Sequence, residues 1–474
     1  MSPDKSAAPR DGGNGRGKLG SRGRGRQSRP RGADPARLLA FDALRAVHAE
    51  DAYANLILAE LLRQRQMPAR DAAFATELFS GTCRMQGSYD AIIERAGGRK
   101  LNSLQPAVLD LLRLGTHQLL AMRVADHAAV SATVELAAAT VGRRVTGLIN
   151  AILRKISADD YGGWVTKISN GWPAPDALAL RTAHPRWIVD AYADLLPQTE
   201  LEPALRANNV QPVSSLVIRP GLATVQELLD AGARPGRHSP YAAQWTGDPA
   251  LLPAVAEGRA GVQDEGSQLV ALALARAEAA DGPWLDLCAG PGGKSALLAG
   301  LAREHGAAFL AGEIAAHRAR LVAAALRAYP QSDERLVITA DGTRPAWRPG
   351  SFARVIADVP CSGLGALRRR PESRWRRDAD AVDQLHPLQK SLLHNAIAAL
   401  RPGGVVAYVT CSPHRLETEA VVTEVLSEHD DLDLLDAPAL LPEVEDAAVG
   451  RFIQLWPHRH GTDAMFAALL RVSG

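Results

Sequence analysis

The sequence predicts a multidomain chain: an all-α bundle, then a small α+β module, then an α/β domain built on a mostly parallel sheet. Three observations carry this. Between residues 35 and 160 apolar side chains recur at three- and four-residue spacing, as in Leu38, Phe41 and Leu44, then Phe74 and Leu78, then Leu148, Ile152 and Ile156; this is the period of helices with one buried face. From Gly282 onward short apolar runs alternate with helical stretches, the pattern of a parallel sheet covered on both sides. Residues 175–260, between them, mix the two signals. With 474 residues and 46% hydrophobic side chains, the chain can bury more than one core.

The elements follow in chain order. Residues 1–34 form a basic tail: from Arg10 to Arg31 eight Lys/Arg residues alternate with Gly and Ser against one acid, Asp11. Such a segment cannot bury enough apolar surface to fold, and it either holds RNA through phosphates or is a solvated extension. Region 35–160 holds five to seven helices packed as a bundle. Residues 164–176, carrying Gly, Asn and Pro, form a connection. In the module 175–260, residues 214–219 make a strand and 224–231 a helix; residues 261–264 make a further strand entering the last domain, 261–474. There the expected strands are 284–289, 308–314, 336–340, 355–357 and 405–409, with helices at 294–304 and 315–329. Residues 452–455 and 465–471 close the sheet as an antiparallel hairpin.

Composition bounds the function. Lys+Arg exceeds Asp+Glu by only 54 to 52, so the average surface names no partner. No apolar run is long enough to cross a bilayer and no secretory signal opens the chain, which predicts a cytoplasmic protein without a membrane partner; it is taken as a monomer. The four cysteines, Cys83, Cys288, Cys361 and Cys411, form no CxxC pair and have no histidines at ligand spacing, so no metal is expected. Cys83 lies in an apolar helical stretch and is read as a core residue.

Asp286-Leu-Cys-Ala-Gly-Pro-Gly-Gly-Lys-Ser295 follows one strand and opens a helix. Its glycines allow a tight turn and close backbone approach, and the helix N-terminus offers N–H groups to a ligand. A phosphate-binding P-loop would need glycine six residues before Lys294, where Cys288 stands, and the dinucleotide fingerprint does not fit either. A nucleoside-binding loop remains, with Cys288, Ala289, Gly290, Pro291, Gly292, Gly293 and Lys294 as its candidate contacts. Three acids, Glu313, Asp341 and Asp358, close successive strands. Glu313 is placed to accept from ribose hydroxyls and Asp341 to meet an adenine edge. With no phosphate cradle or paired magnesium acids, the set suits S-adenosyl-L-methionine better than ATP.

Asp358-Val-Pro-Cys361-Ser follows the fourth strand and Thr410-Cys411-Ser-Pro the fifth, so both thiols should emerge at one sheet edge facing the cofactor. A thiol there has a purpose. Carbon 5 of cytosine is too weak a nucleophile for a sulfonium methyl, but thiolate addition at C6 turns the ring into an enamine that is not. A second acid-base group would assist loss of the C5 proton, and Asp358 could steady N3 and the exocyclic amine. The signature of exocyclic amine methylation, two prolines and an aromatic after the acid, is absent.

These motifs resemble the RNA (cytosine-5) methyltransferase family, Sun/Fmu branch, whose catalytic domain is a Rossmann-like class I methyltransferase. The resemblance implies Cys411 as nucleophile and Cys361 as the cysteine assisting release, the reverse of a DNA methyltransferase Pro-Cys motif. It also implies 288–294, Glu313, Asp341 and Asp358 as the cofactor site. The helical region resembles the NusB-like RNA-binding domain, most closely at Leu148-Ile-Asn-Ala-Ile-Leu-Arg-Lys155, and the fusion implies small-subunit (16S) ribosomal RNA as partner. Three positions depart from the family pattern: Glu313 for an aspartate, Gly290 for a small non-glycine residue, and Thr418 for an asparagine. Six arginines between Arg368 and Arg377, interleaved with Trp375, are expected to hold an RNA loop by phosphate pairing and base stacking. The target base has to leave its stack to be reached. Two alternatives stay open: an RNA-binding assembly factor with a vestigial catalytic domain, and the same chemistry on transfer RNA.

Overall fold

The computed structural model describes residues 32–50, 53–330 and 335–474; the expected tail, up to residue 31, lies outside them. Six helices build the first region: α1 (Pro35–Ala49), α2 (Ala54–Arg65), α3 (Ala69–Gly97), α4 (Pro106–Leu120), α5 (Asp126–Thr140) and α6 (Thr146–Ile156). Asp34 caps α1 by accepting from Arg37 N at 2.9 Å, and Pro35 occupies the first turn, where a missing N–H costs nothing. Of the predicted positions, Phe41, Leu44, Leu78, Ile152 and Ile156 are buried in one core, while Leu38, Phe74 and Leu148 are half-buried and pack against it. Gly115 lets α4 approach α6 closely, since a Cβ there would stand 2.7 Å from Leu153 Cδ1.

The expected connection at 164–176 is mostly helix. Helices α7 (Tyr161–Ser169), α8 (Ala174–Thr182), α9 (Arg186–Ala193) and α10 (Gln198–Ala207) follow, leaving only 170–173 to connect α7 and α8. Two glycines in the first turn of α7 disguised it. Asp160 compensates, accepting from Gly163 N at 2.7 Å. Ile188, Tyr192 and Leu205 of this group share a core with Leu364, Leu367 and Trp456 from the end of the chain.

A small antiparallel sheet comes next, in order β2-β3-β1-β4: β1 (Ser214–Ile218), β2 (Arg234–Pro235), β3 (Ala242–Trp245) and β4 (Ala260–Val262). Helices α11 (Val225–Asp230) and α12 (Pro253–Ala256) lie between its strands. Helix α13 (Glu265–Arg276) leads into a nine-stranded sheet. Its strands are β5 (Trp284–Asp286), β6 (Phe309–Glu313), β7 (Arg335–Thr339), β8 (Phe352–Asp358), β9 (Leu400–Thr410), β10 (Leu432–Leu434), β11 (Ala448–Val449), β12 (Phe452–Gln454) and β13 (Phe466–Val472). They run in order β11-β12-β13-β9-β8-β5-β6-β7, with β10 paired to β13.

Strands β5 to β9 are mutually parallel, and β13 adds antiparallel to β9, as the sequence predicts. One face packs on α13, α14 (Gly293–Glu304) and α15 (Ala316–Leu326); the short α16 (Ser373–Arg376) then precedes α17 (Asp380–Ala398) and α18 (Glu419–Ser427), on which the other face packs. Chain order reverses between β5 and β8, and the crevice beyond the carboxyl ends of such neighbours is where an open sheet of this kind binds ligands.

Candidate active site

The loop leaving β5 is shaped by its glycines and by one buried acid. Gly292 has φ +109°, and a Cβ there would lie 2.8 Å from Ala325 Cβ and 2.9 Å from Val322 Cα. Only glycine fits. Gly290 N donates to Glu313 Oε2 at 3.0 Å, Ala315 N to Glu313 Oε1 at 3.0 Å, and Arg318 to Gly290 O at 2.6 Å. Glu313 is thus buried and turned back onto the loop. A Cβ on Gly290 would stand 2.3 Å from Glu313 Oε2 and 2.7 Å from Arg318 Nε, so the acid and the arginine together fill the space a side chain at 290 would need.

Below the loop, Ser295 Oγ donates to Asp286 Oδ2 at 2.7 Å, and burial pushes the Asp286 carboxyl up to about 7. Asp286 Oδ1 and Gln263 Oε1, both buried, have no hydrogen-bond partner among the described residues. The Gln263 side chain lies against Gly293. Unpaired oxygens beside a helix N-terminus match an amino-acid head carrying both ammonium and carboxylate, which is one end of S-adenosyl-L-methionine. Ile314, 64% exposed immediately after Glu313, offers apolar surface for the other end. Asp341 stands apart, accepting from Thr343 N and Oγ1 at 2.9 and 2.7 Å, bonds that hold its carboxyl below the usual range. Cys288 and Ala289 lie at the loop's base, where burial pushes the Cys288 thiol up.

The cysteines meet. Strands β8 and β9 are parallel neighbours with Asp358 opposite Val409, so their turns leave the sheet side by side, and Cys361 Sγ lies 3.3 Å from Cys411 Sγ. Both are free thiols. Lys294 Nζ bonds Asp358 Oδ2 at 2.8 Å; burial works against the lysine's charge, but the carboxylate outweighs it and its pKa is raised. The hydrogen bond from Cys361 lowers Cys411, with burial opposing and the charges of Lys294 and Arg370 helping. The same bond, with burial and the Glu417 carboxylate, raises Cys361. The two sulfurs titrate as a pair, and the positive charges of Lys294 and Arg370 favour a thiolate at Cys411.

A buried group that sequence reasoning missed sets this spacing. Glu417 Oε1 accepts from Ser362 N at 2.6 Å and from Gln389 Nε2 at 3.3 Å, while Oε2 accepts from Ser362 Oγ. Ser362 has a single hydroxyl hydrogen, and a carboxylate can only accept, so Ser412 must supply the hydrogen of the 3.0 Å bond between the two serines. The residue after each cysteine is thereby tied to one carboxylate, and Gln389 Nε2 also holds Pro360 O at 2.9 Å. The repeated Cys-Ser pair was the available signal for the serines; nothing in the sequence marks Glu417.

The arginine loop overturns its expectation. Arg368 and Arg369 pair with Asp264 and Asp463, the closest contact being Arg369 to Asp264 at 2.6 Å. Arg374 is fully buried, donating to Ala183 O at 2.9 Å and Asn209 Oδ1 at 2.7 Å, and burial pulls it down to about 9. Trp375, expected to stack on a base, donates to Cys83 O at 2.8 Å and sits over Gly87 of α3; Arg376 reaches Val47 O at 2.9 Å. This segment brackets the helical region onto the catalytic domain. Cys83, as read, is a buried core residue. Among the described residues, no group of three or more His, Cys, Asp or Glu side chains is placed to hold a metal, and no helix is long and apolar enough to cross a membrane.

A glycine loop and an ionisable thiol at the switch point of this sheet define the class: an α/β methyltransferase. Residues 271–471 match the family model for 16S rRNA methyltransferase RsmB/F, and residues 34–158 match the NusB family. A putative methyltransferase from Mycobacterium tuberculosis is 50% identical over 463 residues, spanning 95% of this chain and 99% of the relative. The ribosomal RNA small subunit methyltransferase B of Vibrio cholerae is 31% identical, spanning 86% and 91%. The crystal structure of PH0851 superposes with TM-score 0.76 at 22% identity, over 92% of this chain and 99% of that one. The chain belongs to the RsmB/F family of methyltransferases, with a NusB-type helical domain at its N-terminal side.

Proposed function

We propose that the protein methylates C5 of a cytosine in small-subunit (16S) ribosomal RNA, using S-adenosyl-L-methionine and a covalent bond from Cys411 to C6. The observation that carries this reading is the 3.3 Å sulfur pair whose nucleophilic member sits beside Lys294, Asp358 and the glycine loop. Residues 288–294, Glu313, Asp286 and Gln263 would hold the cofactor, with Asp341 toward its adenine. When bound it supplies a methyl group on a sulfonium, an electrophile. Cys411 gives its electron pair to C6, and the ring's displaced pair makes C5 nucleophilic. Asp358, whose Oδ1 is not engaged by Lys294, would accept from the exocyclic amine, and from N3 as that nitrogen gains a proton during addition, and so hold the ring. After C5 carries the methyl, the Cys361 sulfur, having given its own proton to solvent, takes the C5 proton; the electron pair of the broken C5–H bond re-forms the C5–C6 double bond, the C6–S bond breaks and Cys411 departs as thiolate.

Unmethylated small-subunit RNA incubated with labelled cofactor, followed by mapping of the modified base, tests the assignment. Label on cytosine C5 is expected; label elsewhere, or none, removes it. Cys361→Ala is expected to accumulate a protein-RNA adduct resistant to denaturation, and Cys411→Ala to form none. The converse pattern would exchange the two roles.

A further inference from the structure

Of the six arginines in the segment after Cys361, the fold absorbs Arg368, Arg369, Arg374 and Arg376. Arg370 and Arg377 remain exposed, without an ion-pair partner among the described residues. Arg370 lies close enough to the cysteines for its charge to favour the Cys411 thiolate. Its guanidinium stands 6.0 Å from the centroid of the Tyr53 ring, which comes from the other domain and is 56% exposed. Tyr53 is held there: the next backbone N–H, of Ala54, donates to the buried Glu372 at 3.0 Å, two residues along the chain from Arg370. The fold has withdrawn Trp375 from the surface and set a different aromatic beside the free arginine.

We propose that Tyr53 and Arg370 form a nucleotide-binding step at the mouth of the cysteine site, Tyr53 stacking on an unpaired base next to the target cytosine and Arg370 pairing with its phosphate. This rests on the RNA reading above. A flat ring half open to water beside an uncompensated guanidinium is the pairing that single-stranded RNA uses, one part for the base and one for the backbone. A base removed from its stack leaves a neighbour with an uncovered face, and Tyr53 supplies the replacement surface. The ring belongs to the helical domain and the arginine to the catalytic domain, so RNA seated here would touch both.

Binding of a fluorescein-labelled single-stranded RNA with one central cytidine is measured by anisotropy at two salt concentrations. Tyr53→Leu is expected to bind about 10- to 100-fold more weakly, and Tyr53→Phe and Tyr53→Trp like the unaltered protein, because stacking needs only the ring. Arg370→Gln is expected to weaken binding and to flatten the salt dependence by about 0.7 in log-log slope, the share of one phosphate contact. Binding of tritiated S-adenosyl-L-methionine should be unchanged in the Tyr53 variants, which shows that they fold. If unaltered protein methylates RNA and Tyr53→Leu does so with the same KM, the stacking step is wrong and the enzyme reading stands. If unaltered protein neither binds nor methylates RNA, both fall.

Discussion

The two sides of the switch point handle buried carboxylates differently. On the cofactor side two acids have a cation: Arg318 lies 3.5 Å from Glu313, and Lys294 lies 2.8 Å from Asp358. On the cysteine side Glu417, fully buried, accepts among the described residues only from the neutral donors Ser362 and Gln389. An ion pair cancels its field at a distance, whereas a carboxylate held by neutral donors keeps its own. The first arrangement suits a loop that must be rigid without biasing its ligand. The second sets a carboxylate near Cys361, which disfavours negative charge on that sulfur. Asp286 is a third case, with no cation and its charge suppressed by burial.

Removing a cation should therefore do the most damage. Lys294→Met leaves the partly buried Asp358 uncompensated and takes a positive charge from beside Cys411. Loss of about 3 kcal/mol in stability is expected, with at least about 100-fold slower single-turnover methyl transfer. Urea unfolding and a rapid-quench assay measure the two. Wild-type behaviour in both would show that the ion pair is idle.

Asp286 gives the next effect, and its sign is fixed. A carboxyl harder to ionise in the folded chain adds stability below the ordinary aspartate value of about 3.9, and that contribution is lost as pH rises through about 7. Cofactor-free protein should thus lose stability between these values with a slope of up to about 1.4 kcal/mol per pH unit from this group. Asp286→Asn keeps the acceptor for Ser295 and should flatten that part of the Tm-against-pH curve. A curve unaltered by the substitution would place the titration elsewhere.

Glu417→Gln tests the unpaired side. Shape is kept, but the charge is removed and an amide nitrogen that donates replaces an oxygen that accepts, so a loss of about 1–3 kcal/mol in stability is expected, while single-turnover transfer falls about 10-fold or more with cofactor KM unchanged. Alkylation by iodoacetamide, resolved by mass spectrometry, should favour Cys411 less over Cys361 than in the unaltered protein. Undiminished selectivity would mean that geometry alone chooses the nucleophile.

How much of this could be seen in the sequence follows from which forces act locally. The strands from 284 to 410 and the meeting of Cys361 with Cys411 were legible, because hydrophobic period fixes the elements and parallel topology fixes where strands end. Arg374 and Trp375 were misread, since a charge run takes its role from distant partners, here Ala183, Asn209 and Cys83, which no window contains. Helices α7 to α10 were missed for a related reason: Gly162, Gly163 and Pro203 mask their propensity, and packing restores it, of α7 against the helical bundle through Trp164 and of α8 to α10 against Leu364 and Trp456.

The smallest effect tests whether the paired side is a matched set. A methyl group at 290 would lie 2.3 Å from Glu313 Oε2, an overlap that the buried and doubly bonded carboxylate cannot relieve by moving into solvent. Gly290→Ala alone should then weaken cofactor binding by about 1–2 kcal/mol through displacement of the loop. Glu313→Asp alone should lose the reach to Gly290 N and weaken it by a similar amount. Made together, the shorter acid removes the nearest overlap and leaves only the solvent-exposed Arg318, 2.7 Å from the new methyl, to shift, so the double variant should recover part of the loss. Calorimetric titration with S-adenosyl-L-methionine across the four proteins gives the coupling energy directly. Strictly additive losses would mean that the two positions depart from the family pattern independently and that the acid's length has no bearing on position 290.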